Sequence, residues 1–279
     1  MDAFSFNLCQ STCSSELVNN ATTAVRSVRE AFTARNAVVA CYMAKQGLRG
    51  FAQPLEGQLG LYHMLLRDQY SPARVTDGLG RRYEAAELTF KAWPCCFGTH
   101  SPITAMKQLL AQGDFTPDEI EHIQVSIGAH NKILFEPLEQ RRNPETSIIG
   151  KFSIPFTVAT AAIYGTVDLH SFSQERLHDE NVRALAAKTD YTYMDEWQRG
   201  KETYARVVVT ARGRQYEKLV TTPFGTPENP MSDEDFDLKF HSCAAFAKIK
   251  RTDEALETIK KTVRALDSLE DIGTLTALL

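Results

Sequence analysis

The sequence has no excess of one charge sign: 31 lysines and arginines stand against 35 aspartates and glutamates, a formal net charge of -4. That balance excludes a general nucleic-acid or membrane-surface role. Apolar runs long enough to span a bilayer are missing. The opening stretch MDAFSFNLCQSTCSSEL has no basic segment followed by a long apolar one, so a cleaved secretion signal is not expected. Cysteine is scarce, with six in 279 residues. Cys9, Cys13, Cys41, Cys95, Cys96 and Cys243 make no disulfide framework, and reduced thiols in a cytoplasmic setting are expected. Cys9 and Cys13 are spaced for one helical face, but no further ligands follow at metal-binding spacing. Neither GxGxxG nor GxxxxGK[ST] occurs, and Gly78-Leu79-Gly80 lacks the helix such a loop must precede. HExxH and GxSxG are missing too.

What is present reads as helices first, an α+β block in the middle and helices last. Val25, Val28, Phe32, Val38, Val39 and Met43 recur near helical spacing and predict helix over most of residues 16–50, with Gly47 and Gly50 past its end. LYHMLLRDQY predicts a short helix, and Asp77-Gly78 a turn. LTFKAW, ending at Pro94, predicts a strand. In SPITAMKQLLAQG, Ser101 is placed to cap a helix, Pro102 suits its first turn and Gly113 lies beyond it. Thr116, Pro117 and Glu119 form a capping-box pattern ahead of the strand IQVSI. KFSIPFTVATAAIYGT predicts a buried helix, and SQERLHDENVRALAAKT a surface helix capped by Ser173. ARVVVTARGRQYEKLVTT predicts a hairpin about Gly213. PFGTPENPMSDEDF predicts a return loop entering a helix at Ser232, and TDEALETIKKTVRALDSL a final amphipathic helix.

Several side chains carry possible chemistry. Lys91 lies just before Trp93-Pro94, where a partly desolvated ammonium binds a carboxylate or tunes a proton transfer; a solvated edge lysine is the competing reading. His100 precedes a helix and suits general acid–base work or, alternatively, packing of the loop. Cys95 and Cys96 are adjacent, which on a strand sends them to opposite faces and argues for burial rather than chelation. Arg26 and Arg29, at i and i+3, share a helical face suited to carboxylates, although Glu30 offers an ordinary salt bridge. Arg35 lies in the same segment. His63, His122, His130, His170, His178 and His241 are scattered and read as surface or packing residues.

Four segments carry a resemblance: VRSVREAFTARNAVVACYMAKQGLRGFAQPLEGQLG, LTFKAWPCCFGTHSPI, KFSIPFTVATAAIYGTV and TTPFGTPENPMSDEDFDLKF. Together, in this order and spacing, they resemble the MmgE/PrpD family, which contains 2-methylcitrate dehydratases and cis-aconitate decarboxylases. The resemblance implies a fold of two parts: an all-helical domain, here residues 1–85 with residues 226–279 returning to it, and an α+β lid over residues 86–225. It places the active site between them. It implies small di- or tricarboxylate substrates, proton abstraction beside a carboxylate with loss of water or carbon dioxide, and no metal or organic cofactor. It also implies a homodimer, or a heterodimer with a family member. Lys91 and His100 become the catalytic candidates, with Arg26, Arg29 and Lys91 as substrate-binding ones.

The match has departures. Arg26 stands where many members carry a lysine, and arginine binds a carboxylate but does not readily act as a base. Ala92 stands where proline is usual, and Phe97 where arginine is frequent. Met1 corresponds to the middle of the family's helical domain, and no segment here matches the half that supplies an aspartate and histidines. The expectation is a lyase completed by another polypeptide, or a shortened paralogue that dimerises with and modulates a full-length relative. Apolar helix faces left uncovered are the structural consequence expected of such a chain.

Overall fold

A computed structural model describes residues 1–10, 25–67, 69–198 and 200–279, with the side chains of Arg26 and Ser27 also outside the described set. Cys13 and residues 16–24 of the expected first long helix therefore lie outside it. The chain divides into two compact units, Met1–Ala86 and Glu87–Leu279.

The first unit holds α1 (Asp2–Gln10), α2 (Val25–Lys45), α3 (Leu61–Leu66) and α4 (Pro72–Thr76). Ser5, fully buried on α1, ties this unit together: its hydroxyl donates to Phe51 O at 3.0 Å and accepts from Phe51 N at 3.1 Å. Asp2 Oδ1 accepts from Gly50 N at 3.0 Å, and a Cβ on Gly50 would stand 2.5 Å from Ser5 Cβ, so this approach requires glycine. On α2 the apolar periodicity is real but uncovered: Val25, Val28, Phe32, Val38 and Val39 are exposed, and Ala40 is the buried apolar residue.

The second unit is a mixed α+β layer. Its helices α5 (His100–Ala111), α6 (Leu138–Arg142), α7 (Ser147–Lys151), α8 (Ile154–Tyr164), α9 (Gln174–Leu177) and α10 (Glu180–Ala187) are interleaved with β1 (Ile120–Ile127), β2 (Thr189–Tyr193), β3 (Ala205–Ala211) and β4 (Arg214–Val220). After them come α11 (Asp233–Ala245), α12 (Asp253–Arg264) and α13 (Gly273–Thr276). The sheet runs β2-β1-β3-β4, with β1 and β2 parallel and the other pairs antiparallel. Ile123, Val125 and Ile127 of β1 and Ala205, Val207, Val209 and Ala211 of β3 are buried, the period-two signature of a sheet with one covered face. Helix α5 packs on β3 and β4, and α8 packs on α5 and α10.

The local chemistry accounts for most boundaries. Ser153 Oγ accepts from Phe156 N at 3.0 Å and opens α8, which Gly165 ends at φ +73°. From Ile154 to Ala162 every residue of α8 is buried, as a helix apolar all round must be. Arg212 and Gly213 both take positive φ, +53° and +66°, which gives the β3–β4 hairpin its tight turn. Thr116 N donates to Glu119 Oε2 at 2.9 Å, and this box opens a 3-10 turn that feeds β1. Ser232 and Asp235 form the corresponding box at α11.

Three expectations are corrected. LTFKAW is not a strand: its backbone is anchored instead by one bond, Phe90 N to Gly225 O at 2.8 Å. The helix over 173–189 is two helices, α9 and α10, because Asp179 interrupts it and accepts from Asn181 N and Val182 N at 2.9 and 3.2 Å. Helix α5 begins at His100 and not at a Ser101 cap; the Ser101 hydroxyl donates instead to Thr203 O. Asp179→Ala is expected to lower stability by about 1 kcal/mol, read as a fall in urea midpoint without a change in slope.

Candidate functional site

The chain from Phe90 to Thr99 is built to hold one corner of the second unit. Cys96 N donates to Lys151 O at 2.8 Å, and Thr99 folds back with both its N–H, at 3.0 Å, and its hydroxyl, at 2.8 Å, on Cys96 O. A Cβ on Gly98 would lie 2.5 Å from Asn131 Oδ1, so glycine lets this turn sit against the Ala129–Leu134 segment. The result buries Trp93, Cys95, Thr99 and His100, and leaves Lys91 exposed.

His100 is wholly buried, with its ring between Trp93 and Phe97 at centroid distances of 5.1 and 5.0 Å. Its Nε2 lies 3.9 Å from Cys95 Sγ, and its Nδ1 has no hydrogen-bond partner among the described residues. Burial, with the ammonium groups of Lys91 and Lys239 adding to it, holds the imidazole neutral and pushes its pKa down to about 3. A neutral imidazole of that basicity inside the core is a weak candidate for moving a proton at neutral pH. Cys95 is likewise inert: burial pushes its thiol up to about 12, although Thr99 Oγ1, at 2.9 Å, and the two lysines pull the other way.

Beside this corner is a cavity of about 750 Å³, lined by Ala92, Trp93 and Pro94, by one face of α5, by residues 166–169, by Phe224, Asn229 and Met231, and by one face of α11. On α5 that face is Thr104, Lys107, Gln108 and Ala111; on α11 it is Asp235, Leu238, Lys239, Ser242 and Cys243. Both sets follow helical spacing. Lys107 donates to Gly165 O, and burial lowers its pKa. Asp235 is engaged by the N–H and hydroxyl of Ser232, each at 2.8 Å, and Asp168 by those of Ser171, at 2.8 and 2.9 Å. The side chains of Lys91 and Lys239 make no ion pair or hydrogen bond among the described residues. Both act on the same two buried groups, His100 and Cys95. The arrangement sets the Lys239 ammonium, with Lys107, Asp168 and Asp235, in the wall of a largely apolar cavity.

The structure thus brings Lys91 and His100 together in the second unit. Arg29 belongs to the first unit, where its Nε meets Glu30 Oε1 at 2.5 Å. Arg26 starts α2, but its side chain lies outside the described residues. Lys107 and Lys239 were not singled out from sequence. The available signal was polar residues sharing one helical face: Thr104, Lys107 and Gln108 at i, i+3 and i+4 on α5, and Asp235, Lys239 and Ser242 at i, i+4 and i+7 on α11. Among the described residues, no cluster of three or more His, Cys, Asp or Glu side chains gathers in metal-binding geometry, and no helix is long and apolar enough to cross a membrane.

A family model described as the MmgE/PrpD C-terminal domain matches residues 93–265. The cis-aconitate decarboxylase-like protein oryM of Aspergillus oryzae is 25% identical over 267 residues, 91% of this chain and 55% of that protein. The cis-aconitate decarboxylase of Aspergillus terreus is 25% identical over 274 residues, covering 91% of this chain and 54% of that one. The human cis-aconitate decarboxylase is 24% identical over 269 residues, with 93% and 54% covered. The chain spans about half the length of these relatives.

Proposed function

We propose, because the chain belongs to the MmgE/PrpD family, that it serves a lyase reaction on a citrate-like di- or tricarboxylate without a metal or organic cofactor. The observation that carries this reading is the Lys239 ammonium in the cavity wall, with Lys91 near enough to act on the same buried His100. In a dehydration, a base removes the proton beside a carboxylate, the C–H electron pair forms the double bond, and the C–O bond breaks to release water. In a decarboxylation the C–C bond breaks, carbon dioxide leaves, and a proton takes up the electron pair. Both routes pass charge onto a carboxylate-bearing carbon, which an ammonium stabilises. Lys91 is assigned that contact. His100 is assigned to positioning: its ring, held between Trp93 and Phe97, fixes the segment that carries Lys91. The similarity to cis-aconitate decarboxylases favours decarboxylation of cis-aconitate, and dehydration of 2-methylcitrate or an alkylcitrate and an isomerisation share the same carbanion chemistry.

The test is turnover of cis-aconitate, citrate and 2-methylcitrate by the purified chain, alone and mixed with a full-length relative, followed by proton NMR. Lys91→Ala is expected to lower kcat/KM about 100-fold. Unchanged turnover in that variant would remove Lys91 from the site.

A second reading has its own support. The exposed Val25, Val28, Phe32, Val38 and Val39 of α2 form an apolar face of the kind that partners cover. On that reading the chain is a non-catalytic subunit that pairs with a full-length relative and alters its rate. Strictly monomeric behaviour in the mixture counts against it.

A further inference from the structure

Helix α2 carries a repeat that neither the cavity nor its proposed chemistry uses. Val25, Val28, Phe32, Arg35, Val39 and Tyr42 follow one another at alternating steps of three and four. That is the a/d pattern of a coiled-coil seam, about 26 Å long at 1.5 Å per residue. Helix α1 lies on a different face of α2, where Ala40 is buried and Asn36 Nδ2 donates to Gln10 O at 3.1 Å. The five apolar members of the repeat are 40 to 62% exposed, so the stripe is open along its length among the described residues.

Charge narrows what fits this stripe. Arg35 lies in the seam, and its guanidinium stands 5.8 Å from the Phe32 ring centre. Its Nε and Nη2 donate to the neutral Asn36 Oδ1, at 3.3 and 3.1 Å, and no carboxylate pairs with it among the described residues. The positions bordering the seam, 29, 36 and 43 on one side and 31, 38 and 45 on the other, hold Arg29 and Lys45 and no acid. Arg29 already meets Glu30, so Arg35 is the charge a partner must answer. A second copy answers it badly. Arg35 is the midpoint of α2, and full overlap of two seams in either direction brings two Arg35 side chains together. A lipid surface would have to take Arg35 in with the apolar stripe.

From this pattern we infer that α2 is the docking surface for an acidic amphipathic helix of another polypeptide, with apolar residues along the seam and a carboxylate opposite Arg35. This rests on the second reading, pairing with a relative, only for the partner's being a separate protein. Arg35 sets the register: sliding the partner by one heptad moves its carboxylate off the guanidinium and against Val28 or Tyr42.

The test uses the intact chain and two peptides that match the 21 residues of α2, both with leucine at the seam positions. One carries glutamate opposite Arg35 and along both borders; the other carries lysine at the same places. Fluorescence anisotropy of the labelled peptides reads binding. The acidic peptide is expected to bind at least about tenfold more tightly than the basic one, and to weaken as salt rises. Arg35→Glu is expected to reverse the order of the two. Phe32→Ser is expected to weaken both by about tenfold. Both positions are exposed, and far-UV circular dichroism checks that helix content is kept. No binding of either peptide, equal binding of both, or a preference that survives Arg35→Glu would overturn the inference. So would self-association of the chain that Phe32→Ser abolishes, which makes a second copy the occupant, or tighter adsorption to phosphatidylserine vesicles than to the acidic peptide. A relative that pairs with the chain whatever stands at position 35 leaves the second reading standing and sinks this one. Binding of the acidic peptide without pairing by the relative does the reverse.

Discussion

Gly225→Ala is expected to destabilise the second unit by about 3 kcal/mol or more, a large effect for one methyl group. Gly225 has φ +100°, outside the range side chains adopt readily, and a Cβ there would stand 2.2 Å from Phe90 O. The obstacle is backbone, not the tip of a flexible side chain. Relief therefore means moving one strand of chain off the other and breaking Phe90 N to Gly225 O, the 2.8 Å bond that anchors the Lys91 segment. The same shift displaces Lys91, so the variant is expected to lose ligand response along with stability. Urea unfolding followed by far-UV circular dichroism reads the effect. A loss under 1 kcal/mol would show that the loop bends without cost and that the Gly225–Phe90 contact does not hold the corner.

Acidification gives the second large effect. The His100 imidazole has its folded pKa lowered from 6.5 to about 3 by burial. Between those values the unfolded chain binds a proton that the folded chain refuses, so stability falls as pH falls. The slope from this group is about 1.4 kcal/mol per pH unit. It is expected between pH 6 and 4.5, is absent above neutrality, and flattens again below pH 3. The carboxylates held below their usual range, such as Asp190 beside His122 and Asp237 beside Lys260, act only at lower pH. Comparing the parent chain with His100→Gln removes their shared contribution. The variant is expected to lose the slope between pH 6 and 4.5 whatever its absolute stability. Identical slopes would mean that His100 reaches solvent or gains a proton in the fold, and would reopen its role in proton transfer.

Much of the second unit is legible residue by residue because its signals are local. Ser153, Gly165, Gly213, the Thr116–Glu119 pair and the Ser232–Asp235 pair each satisfy or terminate backbone within four positions of themselves. Failures occur where the deciding partner is distant. LTFKAW has strand-like residues, but a strand needs a neighbouring edge, and Gly225 offers a single hydrogen bond. TDYTY became β2 because β1 supplies a parallel edge, from Ile123↔Thr189 to Ile127↔Tyr193, and no pattern in five residues announces that. Asp179 was hidden inside a run with good helical periodicity, although its side chain makes a strong cap.

The site divides in the same way. Trp93, Pro94 and His100 drew attention through composition, and they do form one corner with Lys91. Whether His100 faces a ligand or the core depends on Trp93, Phe97 and Cys95 closing around it, which only packing decides. Lys239 is separated from Lys91 by 148 positions, yet both ammonium groups act on His100. Chain order alone gives no reason to connect them.

The most direct test of the central claim is carbon–hydrogen exchange in D2O. The intact chain, with and without a full-length relative, is incubated with 2-methylcitrate, citrate or cis-aconitate and followed by proton NMR. Abstraction beside a carboxylate replaces that C–H by C–D even when no product leaves. Decarboxylation of cis-aconitate leaves an electron pair that takes up a proton from solvent, so the product also carries deuterium on carbon. The account predicts deuterium on carbon in at least one of these acids, with a strong reduction in Lys91→Ala. No exchange into any of them, in the chain or in the mixture, would contradict it.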